Sequence, residues 1–302
     1  MLRQNADTLI RNGMEMRTLT RMRTYLALLL FGLGLTGCGG SSNVVNTSAN
    51  NQNVTQQSPA TNANSIAQTV NITSPDGVIL VGTFLEAAKS NSPGLLLLHQ
   101  WQSDRHSYDE FAVRMQQKGF AILSIDGRGF GESTKKADGT TVVAGRTPAD
   151  VKAMLGDVSS AFDFLAKQKN IDPTRIGIVG ASYGSSLAIM YAADNPKVPA
   201  VALLSPGLNY FGNMLTLPAV EKYGDRDLFI VASTGDTESA LAAESFEKIG
   251  NTRYGFFILP VGSSHGTEMF KYRDKTDGPP KVEDGLEFFL TTRLGLAEAG
   301  YD

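Results

Sequence analysis

Gly180-Ala181-Ser182-Tyr183-Gly184 sets a serine among small residues where the chain changes its pattern. Before it, Arg175–Val179 reads as a short buried strand; after it, the small and apolar Ser185–Ala193 reads as a helix. A G-x-S-x-G segment in a strand–turn–helix setting is a nucleophile elbow. The turn is sharp enough to strain the serine's backbone, so small neighbours are needed on both sides. The hydroxyl is then held at a helix N-terminus, where backbone N–H groups and the dipole favour developing negative charge. That is the chemistry of nucleophilic attack on a carbonyl. The competing explanation is a glycine-rich turn that carries a serine by chance, and the flanking strand and helix patterns argue against it.

A serine hydroxyl is a weak nucleophile at neutral pH. It needs a base, an acid to orient that base, and donors for the tetrahedral oxyanion. Asp236, in Ser233-Thr234-Gly235-Asp236, follows a strand pattern at Leu228–Ala232 and is the candidate acid. It also reads as a turn residue or N-cap for a helix from Ser239. Glu238 is its nearest competitor, while Asp225 and Asp227 lie at the other end of that strand. His265 follows a strand pattern at Tyr254–Pro260 and is the only histidine after the serine. Small residues around it, Gly262-Ser263-Ser264 and Gly266, let the loop fold back, and it is the candidate base. For the oxyanion, Tyr183 N–H is one candidate donor. The second comes from the loop His99-Gln100-Trp101-Gln102, with Trp101 N–H first choice and Gln100 second. His99 reads as a residue that orders this loop, and His106 as a surface or helix-start residue.

The elements that must position these residues are legible as alternating patterns. Val70–Thr73 and Val78–Leu85 flank Ser74-Pro75-Asp76-Gly77 and predict a β-hairpin. Gly94–Leu98, Phe120–Ile125 and Val201–Leu204 read as buried strands, and Tyr108–Lys118 as a helix stopped by Gly119. Thr147-Pro148-Ala149-Asp150 is a capping signal with proline at the first helical position. The helix it opens puts Leu155, Val158, Phe162 and Leu165 on one face and ends near Lys169. Ser239–Ile249 and Val282–Thr292 complete the helices. Two starting strands followed by strand–helix alternation imply a mostly parallel α/β sheet with helices on both faces. Active residues then lie in loops beyond the strand C-termini.

Composition narrows the function classes. The chain has 302 residues, 27 Lys+Arg against 30 Asp+Glu, and a formal charge of −3, with no basic cluster after residue 40 that would mark a nucleic-acid surface. Three histidines and one cysteine are too few and too scattered for a zinc or iron–sulfur site, so no metal or cofactor is expected. That cysteine is informative in another way. Arg21-Met22-Arg23 precedes an apolar run, Tyr25–Leu35, of signal-peptide length, which ends in Leu35-Thr36-Gly37-Cys38. This resembles the bacterial lipobox, which implies cleavage before Cys38, its lipidation, and attachment of the chain to a membrane. Gly39 after the cysteine implies, by the same resemblance, an outer-membrane address in a Gram-negative cell. The expected division is therefore a signal over 1–37, a lipidated cysteine and disordered tether over 38–68, and a catalytic domain over 69–302. Met16 and Met22 are alternative starts. Five arginines against Asp7 and Glu15 give the signal +3, leaving the remainder at −6.

With these residues in place, the chain from about Thr69 to Leu294 resembles the α/β-hydrolase superfamily, in particular its dienelactone-hydrolase-like and prolyl-oligopeptidase-like branches. The resemblance rests on the elbow, on Leu95–Trp101 as the strand and His-Gly-x loop with Gln100 where glycine is usual, and on His265-Gly266. Asp126-Gly127-Arg128-Gly129-Phe130-Gly131-Glu132-Ser133 is similar to the superfamily's D-x-R-G-x-G-x-S turn. It implies an eight-stranded, mostly parallel sheet with a minimal cap and the order serine, acid, histidine, which Ser182, Asp236 and His265 supply. It further implies a serine carboxylesterase acting on small-molecule or polysaccharide esters. A serine where dienelactone hydrolases use cysteine argues against dienelactone as substrate. The alternatives are a prolyl-oligopeptidase-like peptidase and a catalytically inactive surface-binding lipoprotein. Pro206–Gly224 carries Leu208, Tyr210, Phe211, Met214, Leu215 and Leu217 where the superfamily inserts its cap. It is too short for a full cap domain, so the expected site is open and shallow, favouring small or exposed acyl groups.

Overall fold

The computed structural model describes residues 67–249, 256–259, 262–271 and 282–295. The segments expected as signal (1–37) and tether (38–68), with Cys38, lie outside the described residues but for positions 67 and 68. Among the described residues no helix is long and apolar enough to cross a membrane.

One sheet organises the chain. Its strands are β1 (Gln68–Thr73), β2 (Val78–Leu85), β3 (Ser92–Leu98), β4 (Ala121–Ile125), β5 (Ile171–Ala181), β6 (Ala200–Leu204), β7 (Asp227–Ser233) and β8 (Phe256–Leu259). They lie in the order β1-β2-β4-β3-β5-β6-β7-β8, with the two-residue strand Lys135–Lys136 added beside β2. β2 runs antiparallel to both its neighbours, and every pairing from β4 through β8 is parallel. The hairpin from β1 to β2 turns at Ser74–Gly77, with Gly77 at φ 85° as the turn demands.

Among the described residues the α-helices are α1 (Asp109–Gln117), α2 (Pro148–Ala166), α3 (Tyr183–Asp194), α4 (Leu217–Tyr223), α5 (Thr237–Lys248) and α6 (Val282–Leu294). Thr147 caps α2 in a full capping box with Asp150, and Pro148 takes the first turn. The helix stops at Ala166, a few residues before the sequence pattern ends. Its buried face is Val151, Met154, Val158, Phe162 and Leu165, with Leu155 at the edge. β3 shows why the leucine run reads as strand. Leu96 and Leu98 join the core beneath α2, α3 and α5, while Leu95 and Leu97 join the opposite core beneath α1 and α6. A parallel strand covered on both faces is apolar at every position.

The loop Asp126–Ser133 is held by buried charge. Asp126 pairs with Arg105, and Arg128 joins Asp157 of α2 to Asp76 of the first turn. Ser133 Oγ accepts from Val81 N and donates to Asp126 O. These contacts lock the segment against β2 and α2, consistent with a structural marker near the site.

Between β6 and β7 the chain makes only a small hairpin, Asn209–Tyr210 against Met214–Leu215, and the short α4. Of its apolar residues Met214 is buried, Tyr210, Phe211 and Leu217 are partly buried, and Leu208 and Leu215 are exposed. The insertion is a minimal cap.

Candidate active site

Chain order reverses between β3 and β5: β4 lies on one side of β3 and β5 on the other. Loops leaving the C-terminal ends of these strands diverge and open a crevice there. In register, Leu98 pairs with Gly180 and Ala181 with Leu204, so the loops after β3, β5 and β6 begin side by side.

Ser182 links β5 to α3 with φ 53° and ψ −121°. A non-glycine residue with positive φ is strained by roughly 1–3 kcal/mol and persists only where its surroundings over-determine it. Here Ser182 N donates to Leu204 O at 2.8 Å, and Ser182 O accepts from Ser185 N at 2.9 Å. The flanking glycines make the turn possible. A Cβ on Gly184 would stand 2.5 Å from Leu98 O and 2.6 Å from His99 O, and one on Gly180 would strike the Gly184 carbonyl. Serine at an N-cap ordinarily gives its oxygen to the helix's first N–H groups. Ser182 occupies the N-cap of α3 but makes no side-chain capping bond, which leaves the hydroxyl for other partners.

Asp236 follows β7 and His265 follows β8, and the two side chains meet, with His265 Nδ1 2.7 Å from Asp236 Oδ2. Asp236 also starts α5, yet its carboxylate makes no capping bond; the acid is directed at histidine instead. Burial pulls the Asp236 carboxyl upward, but the His265 hydrogen bond and charge outweigh it and hold its pKa below the ordinary value. An ionised carboxylate only accepts, so Nδ1 carries the proton and Nε2 keeps its lone pair. Glu238, the competing acid, is exposed. Among the described residues Ser182 and His265 make no hydrogen bond; the structure brings acid and histidine together and sets the serine at the end of β5, with β6 between it and β7.

The loop after β3 is ordered by His99. Its Nε2 accepts from Gly127 N at 2.9 Å, which fixes the tautomer, so Nδ1–H donates to Gln100 O at 2.7 Å. Burial lowers the His99 pKa, in keeping with a neutral ring in this place. Tyr183 is the first residue of α3, so its N–H is among the four the helix leaves without an intrahelical partner. Trp101 N–H makes no hydrogen bond within the described residues. The Trp101 ring packs edge-on against Tyr183 at 5.3 Å, Phe130 at 4.8 Å and Phe211 at 4.6 Å, while the Arg146 guanidinium lies 4.9 Å from it.

Tyr210 is more than a wall residue. Its hydroxyl donates to Ser205 O at 3.2 Å and lies close enough to interact with the Ser182 hydroxyl. Burial raises its pKa, which keeps it a protonated donor. An aromatic residue in an apolar stretch carries no sequence signal for this; only the fold over Gly207, whose Cβ would meet the Tyr210 ring at 2.5 Å, brings it to the serine.

Residues 89–224 match the family model described as serine aminopeptidase, S33. A thiohydrolase of Aspergillus aculeatus is 26% identical over 201 residues, which cover 65% of this chain and 59% of that protein. An esterase of Pyrococcus furiosus superposes with a TM-score of 0.56 at 18% identity, covering 76% of this chain and 92% of its own. A dienelactone hydrolase from Anabaena variabilis superposes with a TM-score of 0.57 at 16% identity, covering 76% and 98%. The chain spans 29–59% of the length of the first curated relatives it matches. Sheet order, the elbow and the match over residues 89–224 together give this chain the α/β-hydrolase fold.

Proposed function

We infer that this chain is a serine hydrolase that cleaves carboxylic esters, thioesters included, whose acyl group is small or exposed. Ser182 is the nucleophile, His265 the base and Asp236 the residue that orients it. The N–H groups of Tyr183 and Trp101 receive the oxyanion. The observation that carries this reading is the strained Ser182 with its hydroxyl unspent on the helix cap, beside a hydrogen-bonded Asp236–His265 pair. The thiohydrolase and esterase relatives support acyl transfer from oxygen or sulfur, and the minimal cap supports a shallow acyl site. The aminopeptidase description of the matching family favours a second reading, an amide-cleaving enzyme with the same triad.

The test is hydrolysis of p-nitrophenyl esters of increasing acyl length, an acyl thioester and an aminoacyl p-nitroanilide by the full chain. Ester or thioester turnover falling off with chain length is the expected result. Turnover of the anilide alone overturns the ester reading in favour of the peptidase.

Lipid attachment belongs to the same proposal and rests on the Leu35-Thr36-Gly37-Cys38 resemblance. Intact mass of protein extracted from membranes should fit a chain that starts at an acylated Cys38. An unmodified cysteine within an uncleaved chain would sink it.

A further inference from the structure

Base, nucleophile and oxyanion donors must hold their mutual geometry to within about half an ångström for acyl transfer to proceed. In this chain they come from loops after three different strands, and the histidine comes from the loop after β8, which among the described residues pairs with β7 alone. What fixes that loop is visible residue by residue. Asp236 holds the His265 ring. Ser205 Oγ, from the loop after β6, accepts from Gly266 N at 2.9 Å. The third tie is Gln100, in the loop after β3: its Oε1 accepts from Thr267 Oγ1 at 2.9 Å and from Thr267 N at 3.3 Å. Thr267 is buried, and Gly266, at φ 59°, is packed so closely that a Cβ there would stand 3.0 Å from Gln100 Oε1 and 3.4 Å from Ala181 Cβ. The Gln100 backbone is itself fixed, since its carbonyl accepts from His99 Nδ1 and from Ser103 N.

Gln100 stands where the superfamily resemblance calls for glycine. Its side chain turns to the histidine loop, and glycine has no atom that could make this tie. We propose that Gln100 is a positioning residue for His265: its carboxamide oxygen fastens the histidine loop to the loop that offers the second oxyanion donor, so that base and oxyanion site keep one spacing. The proposal deepens the serine-hydrolase reading and rests on it for its kinetic consequence.

The experiment compares wild type with Gln100→Gly, Gln100→Leu, Gln100→Glu, Thr267→Val and the Gln100→Leu/Thr267→Val double variant, all as full chain. One readout is the rate at which a fluorophosphonate labels Ser182 across pH. The other is solvent exchange of the His265 Nδ1–H proton by NMR, which needs no activity. Gln100→Gly restores the motif of the resemblance, yet it should label about ten- to a hundredfold more slowly, as should Gln100→Leu. Gln100→Glu keeps an acceptor for Thr267 and should recover most of the rate. Its added carboxylate should favour protonated His265, moving the acid limb of the profile to higher pH. The double variant should be no slower than Gln100→Leu, because both changes break one tie. The imidazole proton should exchange faster in Gln100→Gly and Gln100→Leu. Wild-type labelling rates in both, with the proton equally protected, overturn the proposal, as does a strictly additive double variant. A wild type that neither labels nor turns over ester would overturn the hydrolase reading instead. Proton exchange then decides the positioning role by itself.

Discussion

Ser182→Ala is expected to lower kcat/KM for any ester the wild type hydrolyses by about ten-thousand-fold or more. The size of the effect follows from what the hydroxyl does in the proposed reaction. Its proton passes to His265 Nε2 as the Oγ–carbon bond forms and the carbonyl electron pair moves onto oxygen. Collapse of that intermediate expels the alcohol or thiol, which takes the proton back from His265, and water repeats the sequence on the acyl-enzyme. Alanine removes the first bond-forming atom and leaves only binding and the oxyanion donors. Folding should survive the change, because Ser182 makes no capping bond with its side chain and its backbone bonds to Leu204 and Ser185 remain. Alanine retains the Cβ and with it the strain of φ 53°. Ser182→Gly, equally inactive, should therefore melt at a higher temperature than Ser182→Ala, by an amount on the order of 1 kcal/mol in stability. Activity within tenfold of wild type in either variant would remove Ser182 from the chemistry. A glycine variant no more stable than the alanine one would mean that the elbow stores no strain.

Much of the fold could be read before any coordinates. Buried parallel strands are apolar at successive positions, as in Leu95–Leu98, and helix starts carry caps, as at Thr147. Those signals are local, and so are the elbow and the turn at Ser74–Gly77. Less legible was everything that depends on two distant segments meeting. Asp236 read as the candidate acid but also as a helix cap, and its contact with His265 across 29 positions is what no local pattern shows. Gln100 read as a departure from a motif; its partner Thr267 is 167 positions away. Tyr210 read as one apolar side chain among six. The Asp126–Ser133 segment was recognisable as a pattern, but Arg105, Asp157 and Asp76, which hold it, lie in three separate elements. Periodicity reports which face of an element is buried, whereas a polar side chain's partner is set by topology.

The second large effect is expected at Asp236. Asp236→Asn should reduce kcat/KM by about a hundred- to ten-thousand-fold, less than loss of the serine. The carboxylate accepts from His265 Nδ1; in the proposed reaction this keeps the proton off Nε2 and stabilises the imidazolium formed during attack. An asparagine in the same place can turn its NH2 to the ring, and Nδ1 then becomes the acceptor. Nε2 carries the proton and cannot receive another from Ser182. The carboxyl's lowered pKa sharpens the expectation. With its folded pKa below the ordinary carboxylate value, Asp236 stays ionised down through mildly acidic pH. Its contribution to stability is lost only as pH falls through that lowered value. The loss of activity on acidification should therefore come from protonation of the base rather than of Asp236, and kcat/KM should fall while Asp236 is still ionised. Measurement of kcat/KM from about pH 5 to pH 8 checks both points. A flat profile in the wild type would exclude His265 as base. Full activity in Asp236→Asn, paired with a large loss in Glu238→Gln, would transfer the orienting role to the exposed Glu238. Full activity in both would mean that the histidine needs no carboxylate partner, and the Asp236–His265 contact would then be structural.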